Sequence, residues 1–148
     1  MKSISLFLES KTSKYLYRSG PEQNIKIFKP QKNITGNTYI ESDMNKIYAT
    51  DDISFAAGFC FYWADNEGFS FGSNNRYSGP WILKIPKKYK NRLDKSCSMY
   101  YLDSSGFTKA KIDTPEYISN NSAKVIKEIK FNTCWECLDK YKVKVVLK

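Results

Sequence analysis

The sequence contains no histidine. Imidazole is the usual general base at neutral pH and the commonest metal ligand, so its absence excludes several kinds of active site. A Ser-His-Asp triad, a Cys-His nucleophile and a histidine-ligated zinc ion are all ruled out. Any catalytic chemistry must therefore rest on carboxylates, hydroxyls, thiols or cationic side chains.

The chain also lacks an apolar run of the length needed to cross a bilayer. A short apolar patch near the N-terminus is interrupted by Glu9, and no small-residue cleavage site follows it, which is a poor match to a secretion signal. We therefore predict a cytoplasmic protein with no membrane partner. In that compartment the four cysteines are not expected to form a disulfide framework.

The composition is that of a folded, basic protein. Its 148 residues suit a single domain over residues 1–148, and 41% apolar with 16% aromatic residues argue against disorder. The formal net charge is +9, from 24 basic and 15 acidic residues. Such a surface attracts phosphate groups, so nucleic acid or a dinucleotide is an expected partner. The alternative is that the lysines serve only solubility.

Strand and turn signals predict an α+β fold, with a mostly antiparallel or mixed sheet and one or two helices. Alternation is clearest over residues 124–131, and helical spacing over residues 53–63 follows two aspartates that could cap a helix. Two glycine-containing or polar stretches, residues 31–45 and 64–79, are predicted as loops. The other predicted strands cover residues 15–18, 25–28, 46–50, 81–86, 98–102, 116–119 and 143–147, and a second short helix covers residues 134–138.

Three segments stand out when they are taken in order. Residues 16–20 (LYRSG) end the first strand, residues 46–51 (KIYATD) form a strand that leads into the helix, and residues 115–119 (PEYIS) form a late strand. This order resembles that of ADP-ribosyltransferases of the poly(ADP-ribose) polymerase type. Their first motif carries an aromatic residue, a histidine and a Gly-Ser or Gly-Thr, and Arg18 stands here in place of that histidine.

The resemblance implies an ADP-ribosyltransferase-like fold and transfer of ADP-ribose from NAD to an unknown acceptor. It assigns Glu116 as the catalytic residue, and Tyr48 and Phe59 as the aromatic residues that line the nicotinamide pocket. Arg18 and Ser19 complete the implied NAD-binding set. The chemistry agrees, because cleavage of the nicotinamide–ribose bond passes through an oxocarbenium-like state that a carboxylate stabilises. The planar guanidinium of Arg18 suits a phosphate or ribose hydroxyl.

Each of these residues also has a structural interpretation. Arg18 could be a surface residue, Tyr48 and Phe59 could be core aromatics, and Glu116 could face solvent beside Pro115. Two other functions therefore stay open: a catalytically inactive basic module that binds nucleic acid or a nucleotide, and a protein-interaction domain without a small-molecule site. Only the transferase hypothesis requires the motif residues to converge.

Two further groups of residues could carry chemistry. Cys134 and Cys137 form a C-x-x-C at the start of a predicted helix, the local context of a redox or metal site. Zinc would need two more ligands, and Cys60 and Cys97 are isolated in the sequence, so we predict no metal site. The expected arrangement is a structural pair, with Cys137 buried and Cys134 partly exposed.

A cluster of basic side chains surrounds Pro86, with Tyr89 beside it as a candidate for stacking on a base. It is either a nucleic-acid or phosphate patch or a solvated loop. Its members are Lys84, Lys87, Lys88, Lys90, Arg92 and Lys95.

Overall fold

A computed structural model describes residues 15–30, 46–75, 78–110 and 114–148. Within these ranges the chain forms a 7-stranded sheet in the order β2-β9-β6-β1-β3-β8-β7, in which every pair of neighbours is antiparallel. Its strands are β1 (Tyr15–Gly20), β2 (Ile27–Phe28), β3 (Ile47–Thr50), β6 (Cys97–Asp103), β7 (Phe107–Lys109), β8 (Glu116–Ser119) and β9 (Ala123–Phe131).

A second sheet has 3 strands in the order β10-β5-β4. Its central strand, β5 (Ile82–Ile85), pairs antiparallel with β4 (Ser70–Gly72) and parallel with β10 (Lys144–Leu147). The last residue extends this pairing, since the Lys148 amide donates to the Ile85 carbonyl at 3.0 Å. The small sheet is therefore mixed, and it joins the C-terminal strand to the middle of the chain.

The helices are short and capped. Asp52 precedes α1 (Ile53–Ala57), and its carboxylate accepts hydrogen bonds from two backbone amides of the first turn. Thr133 and Glu136 form a capping box at the start of α2 (Cys134–Lys140), which satisfies donors that the helix itself leaves unpaired. Two 3₁₀ helices, Asp65–Glu67 and Lys87–Asp94, complete the described helical elements.

The large sheet has a hydrophobic core on each face. One core, the helical core, packs α1, α2 and the small sheet against the large sheet, and Leu83, Met99 and Leu138 are fully buried in it. The other, the strand core, contains Leu16, Ile47, Ala49, Tyr100 and Leu102. Neighbouring residues of a strand point to opposite faces of the sheet. A strand residue that packs in one core therefore tells us that the residues on either side of it face the other core.

The predicted α+β class and mostly antiparallel or mixed sheet are confirmed. The predicted helix over residues 53–63 is wrong in length, since α1 ends at Ala57. The indole of Trp63 folds back and donates to the Gly58 carbonyl at 2.9 Å, where the chain leaves the helix. The predicted loop over residues 64–79 contains β4, whereas the predicted loop over residues 31–45 lies outside the described residues.

Among the residues that the structure describes, none of the helices is long and apolar enough to cross a membrane.

Candidate functional site

The three segments singled out by the sequence lie on neighbouring strands. Residues 16–20 belong to β1, Tyr48 lies on β3 and Glu116 begins β8, and these strands are adjacent in the order β1-β3-β8. The register places Tyr17 opposite Thr50 and Thr50 opposite Glu116, so one row crosses all three strands. Segments far apart in sequence are therefore brought side by side at one place in the large sheet.

Tyr48 and Glu116 project from the same face of the sheet. Ile47 and Ala49 flank Tyr48 and lie in the strand core, and Tyr117, next to Glu116, packs against that core. Alternation then directs Tyr48 and Glu116 to the opposite face, which carries α1. Since Tyr48 pairs with Ile118, it is a diagonal neighbour of Glu116, a separation of about 7–8 Å that long side chains can bridge.

Ser19 lies on this same face, and Arg18 does not. The Ser19 hydroxyl donates to the Ala56 carbonyl of α1, whereas the Arg18 guanidinium lies over the Phe28 ring on the strand-core side, 5.0 Å from its centroid. Arg18 nevertheless reaches β3, because Nη1 donates to the Tyr48 carbonyl at 2.9 Å. The guanidinium thus braces the backbone of the strand that carries Tyr48.

Phe59 follows α1 and joins an aromatic cluster. Its ring stacks on Trp63 with 5.6 Å between centroids and meets Phe55 and Phe71 edge to face at 5.3 and 5.4 Å. Trp81 closes the cluster against Phe55 and Phe71. Phe59 is half-buried within this cluster.

Polar groups at the ends of β3 and β8 are linked to one another. The Asp51 carboxylate accepts from the Tyr117 hydroxyl at 3.2 Å, and the Asp51 amide donates to the Pro115 carbonyl. Burial, together with the neighbouring Asp51 charge, raises the pKa of Tyr117. Glu116 is half-buried, and its carbonyl accepts from the Ala110 amide at 2.9 Å. The strand that carries Glu116 is thus held on both sides.

An open depression with a volume of about 380 Å³ lies elsewhere, where β1 begins and β6 ends. Tyr15, Asp103 and Ile126 are among its lining residues. It contains none of the residues predicted to bind NAD, so we do not assign the candidate site to it.

The four cysteines lie together, contrary to the sequence-based prediction. All four are free thiols with no exposed surface, so Cys134 is buried and not partly exposed. The Sγ atoms of Cys60, Cys97 and Cys134 lie within 4.8 Å of one another, and Cys137 lies near enough to Cys60 and Cys97 for the thiols to shift one another's pKa. Cys60 and Cys97 are isolated in the sequence, but in the structure they lie next to the C-x-x-C pair.

The crowding of these thiols shifts their acidity. Burial raises the pKa of Cys60 well above its usual range. Hydrogen bonds from Cys134, Cys137 and Cys60 lower the pKa of Cys97. Among the four thiols, Cys97 is thus the one whose pKa is lowered.

The basic cluster around Pro86 is built on β5 and the 3₁₀ helix Lys87–Asp94. Its lysines are exposed, but Arg92 is engaged within the molecule: its guanidinium forms a bidentate ion pair with Glu67 and lies 4.2 Å from the Tyr89 ring centroid. Tyr89 also stacks on Phe69, with 5.4 Å between centroids. The Tyr89 ring thus already contacts Phe69 and the Arg92 guanidinium, which also lies 5.4 Å from the Phe69 ring centroid.

Comparison with known proteins adds no relative: the chain matches no protein-family model, no curated protein and no solved structure.

Proposed function

We propose that the chain binds NAD and transfers its ADP-ribose group to an acceptor, at the face of the large sheet that carries Tyr48 and Glu116. The observation that supports this is the adjacency of β1, β3 and β8 in the large sheet, which brings the three motif segments side by side. A protein-interaction domain without a small-molecule site gives no reason for Tyr48 and Glu116 to be diagonal neighbours on one face.

In this proposal the residues have distinct roles. Tyr48 and Phe59 pack against the nicotinamide ring. The Glu116 carboxylate stabilises the positive charge that develops on the ribose as its bond to nicotinamide lengthens. Ser19 holds α1 over the site and offers a hydroxyl to the ligand, and Arg18 fixes the Tyr48 backbone from behind.

The reaction balances without a redox partner. The bond between ribose C1′ and the nicotinamide nitrogen breaks, and its electron pair leaves with neutral nicotinamide. A nucleophilic oxygen or nitrogen of the acceptor forms the new bond to C1′ and releases its proton to solvent. With water as acceptor, the products are ADP-ribose, nicotinamide and a proton.

Calorimetry with NAD at concentrations up to about 1 mM tests binding, and nicotinamide release tests catalysis. We expect Tyr48→Ala to weaken NAD binding about 10-fold or more, because a stacking partner is lost, while Tyr48→Phe retains binding. Glu116→Gln should leave binding intact and slow nicotinamide release about 100-fold or more. The control is Asp139→Asn, which also replaces a carboxylate by its amide, but on an exposed residue of α2. No binding by the folded wild type would refute the proposal.

The exposed lysines of the basic cluster favour a second candidate, an inactive module that binds nucleic acid. Affinity for a short single-stranded oligonucleotide should then fall steeply with salt, with a log–log slope of about −0.7 for each phosphate contacted. Replacing Lys87, Lys88 and Lys90 together by glutamine should flatten that slope, and Glu116→Gln should not change it. Salt-independent or absent binding would exclude this candidate.

A further inference from the structure

We propose that Cys60, Cys97, Cys134 and Cys137 form a tetrahedral site for a structural zinc ion. The proposal is independent of ADP-ribosyl transfer, because it concerns thiols in the helical core and not the residues of the NAD site. It accounts for the clustering of every cysteine in the chain at one point.

The spacing of the sulfur atoms fits a zinc ion. Zinc–sulfur bonds of about 2.3 Å in a tetrahedron place the sulfur atoms about 3.8 Å apart. The Sγ atoms of Cys60, Cys97 and Cys134 already lie within 4.8 Å of one another, and Cys137 lies outside that group of three. Cys137 is one helical turn after Cys134 and is buried in the same core. Coordination would bring those three sulfurs closer together and turn the Cys137 side chain toward them.

The chemistry of the donor set also points to zinc. Four thiolates form a closed site of the structural kind, and a C-x-x-C pair from one element with single ligands from others is a usual way to build it. The chain has no histidine to compete for the coordination sphere, and in the part of the chain that the structure describes no carboxylate joins the group of thiols. Zinc binding would displace the thiol protons to solvent, and the divalent charge would offset the repulsion among the four thiolates in this dry site.

The ion would join parts of the chain that are distant in sequence. Cys60 follows α1, Cys97 is the first residue of β6, and the other two ligands lie in the first turn of α2. Short contacts already connect these parts, since the Cys134 thiol lies 3.6 Å from the Cys60 carbonyl. Metal binding would hold Phe59, the neighbour of Cys60, in its place within the aromatic cluster.

Cobalt is the probe for the wild-type protein. The full chain, purified under reducing conditions and treated with a chelator, should bind one Co²⁺ and show thiolate-to-cobalt charge transfer with the visible bands of tetrahedral coordination. Zn²⁺ should displace the cobalt at one equivalent. Protein purified without a chelator should contain one zinc per chain by elemental analysis. The proposal is overturned if the wild type, folded and reduced, shows no tetrahedral cobalt spectrum.

Single substitutions then test the ligand set. Cys60→Ser, Cys97→Ser, Cys134→Ser and Cys137→Ser should each weaken cobalt binding more than about 100-fold, since changes in the outer shell alone cost about 10- to 100-fold. Ser96→Ala, beside Cys97 and exposed, should change nothing. Where a variant fails to fold, thiol alkylation of the wild type decides: zinc should protect all four thiols, and chelation should expose them. If the cysteines form disulfides in place of binding metal, protein purified without reductant should have fewer free thiols, and reductant should restore them. That result would contradict the proposal.

Discussion

Replacing Asp52 by alanine should destabilise the fold more than any other substitution of an acidic side chain in this region. One carboxylate oxygen of Asp52 accepts from the amides of Ser54 and Phe55 at 3.0 and 3.2 Å, and the other accepts from the Trp81 indole at 2.8 Å. A single side chain thus caps α1 and ties it to the small sheet through a tryptophan that is only 4% exposed.

The expected cost follows from these bonds. Loss of an N-cap costs about 1 kcal/mol. Leaving the buried Trp81 N–H without an acceptor costs about 1–3 kcal/mol more. We therefore expect Asp52→Ala to lower the free energy of unfolding by about 2–4 kcal/mol. Asp51→Ala should cost less than about 0.5 kcal/mol, because the Asp51 carboxylate is exposed and its hydrogen bond to the Tyr117 hydroxyl lies at the surface.

A double-mutant cycle in urea separates the two contributions. Trp81→Phe removes the indole donor, so Asp52→Ala in that background should cost only the cap, about 1 kcal/mol. Asp52→Asn should lie between wild type and Asp52→Ala, because one amide oxygen can serve only one of the two roles. An equal cost of Asp52→Ala in both backgrounds, or equal costs for the Asp51 and Asp52 variants, would refute this account.

Two further predictions concern packing and pH. Gly58→Ala should destabilise the fold by about 1–3 kcal/mol in urea titrations, because the new methyl group would lie 2.3 Å from the Phe71 ring, whereas Gly72→Ala has open space and should be tolerated. The Arg92 guanidinium lowers the pKa of Glu67, so the pair stabilises the fold above the unfolded value of about 4.3 and loses that contribution as the pH falls through the lower folded value. The urea midpoint of Glu67→Gln should therefore lie below that of wild type near neutrality and approach it in acid; a constant difference across that range would contradict the assignment.

Turn-forming residues at the ends of strands made part of the fold predictable from the sequence. Pro115 and the pair Asn120–Asn121 bound β8 (Glu116–Ser119), whose limits were predicted correctly, and clean alternation marked β9. The β4 and β7 strands were missed because each has three residues and depends on a partner strand for its hydrogen bonds. Propensity carries little signal at that length.

The length of α1 could not be read from periodicity. Residues 53–63 have helical spacing, but Gly58 packs directly under the Phe71 ring, and the chain turns there. Trp63 then donates back to the Gly58 carbonyl, so the apolar residues after Ala57 reach the core from an irregular segment. Tertiary packing thus overrides a local preference for helix.

The cysteine cluster shows what single-sequence reasoning left out. Cys60 and Cys97 carry no spacing signal, because they meet the C-x-x-C pair only through the packing of α1, β6 and α2. A usable signal was present: an even number of cysteines, with one C-x-x-C, in a chain predicted to be cytoplasmic. For Arg18, the sequence could not show which face of the sheet carries the side chain, because that depends on how β1 pairs with its neighbours.

The position of β1 in the large sheet has a consequence for how the protein is made. Both neighbours of β1 come later in the chain, and Tyr15 pairs with Asp103, in the second half of the sequence. During synthesis β1 can meet β3 early, but its longer pairing with β6 waits until residues 97–103 have emerged. Such non-local pairing slows folding and leaves Leu16 and its neighbours uncovered meanwhile. The face that carries Tyr48 and Glu116 cannot exist in an early intermediate, because it forms only when the late strand β8 docks on β3.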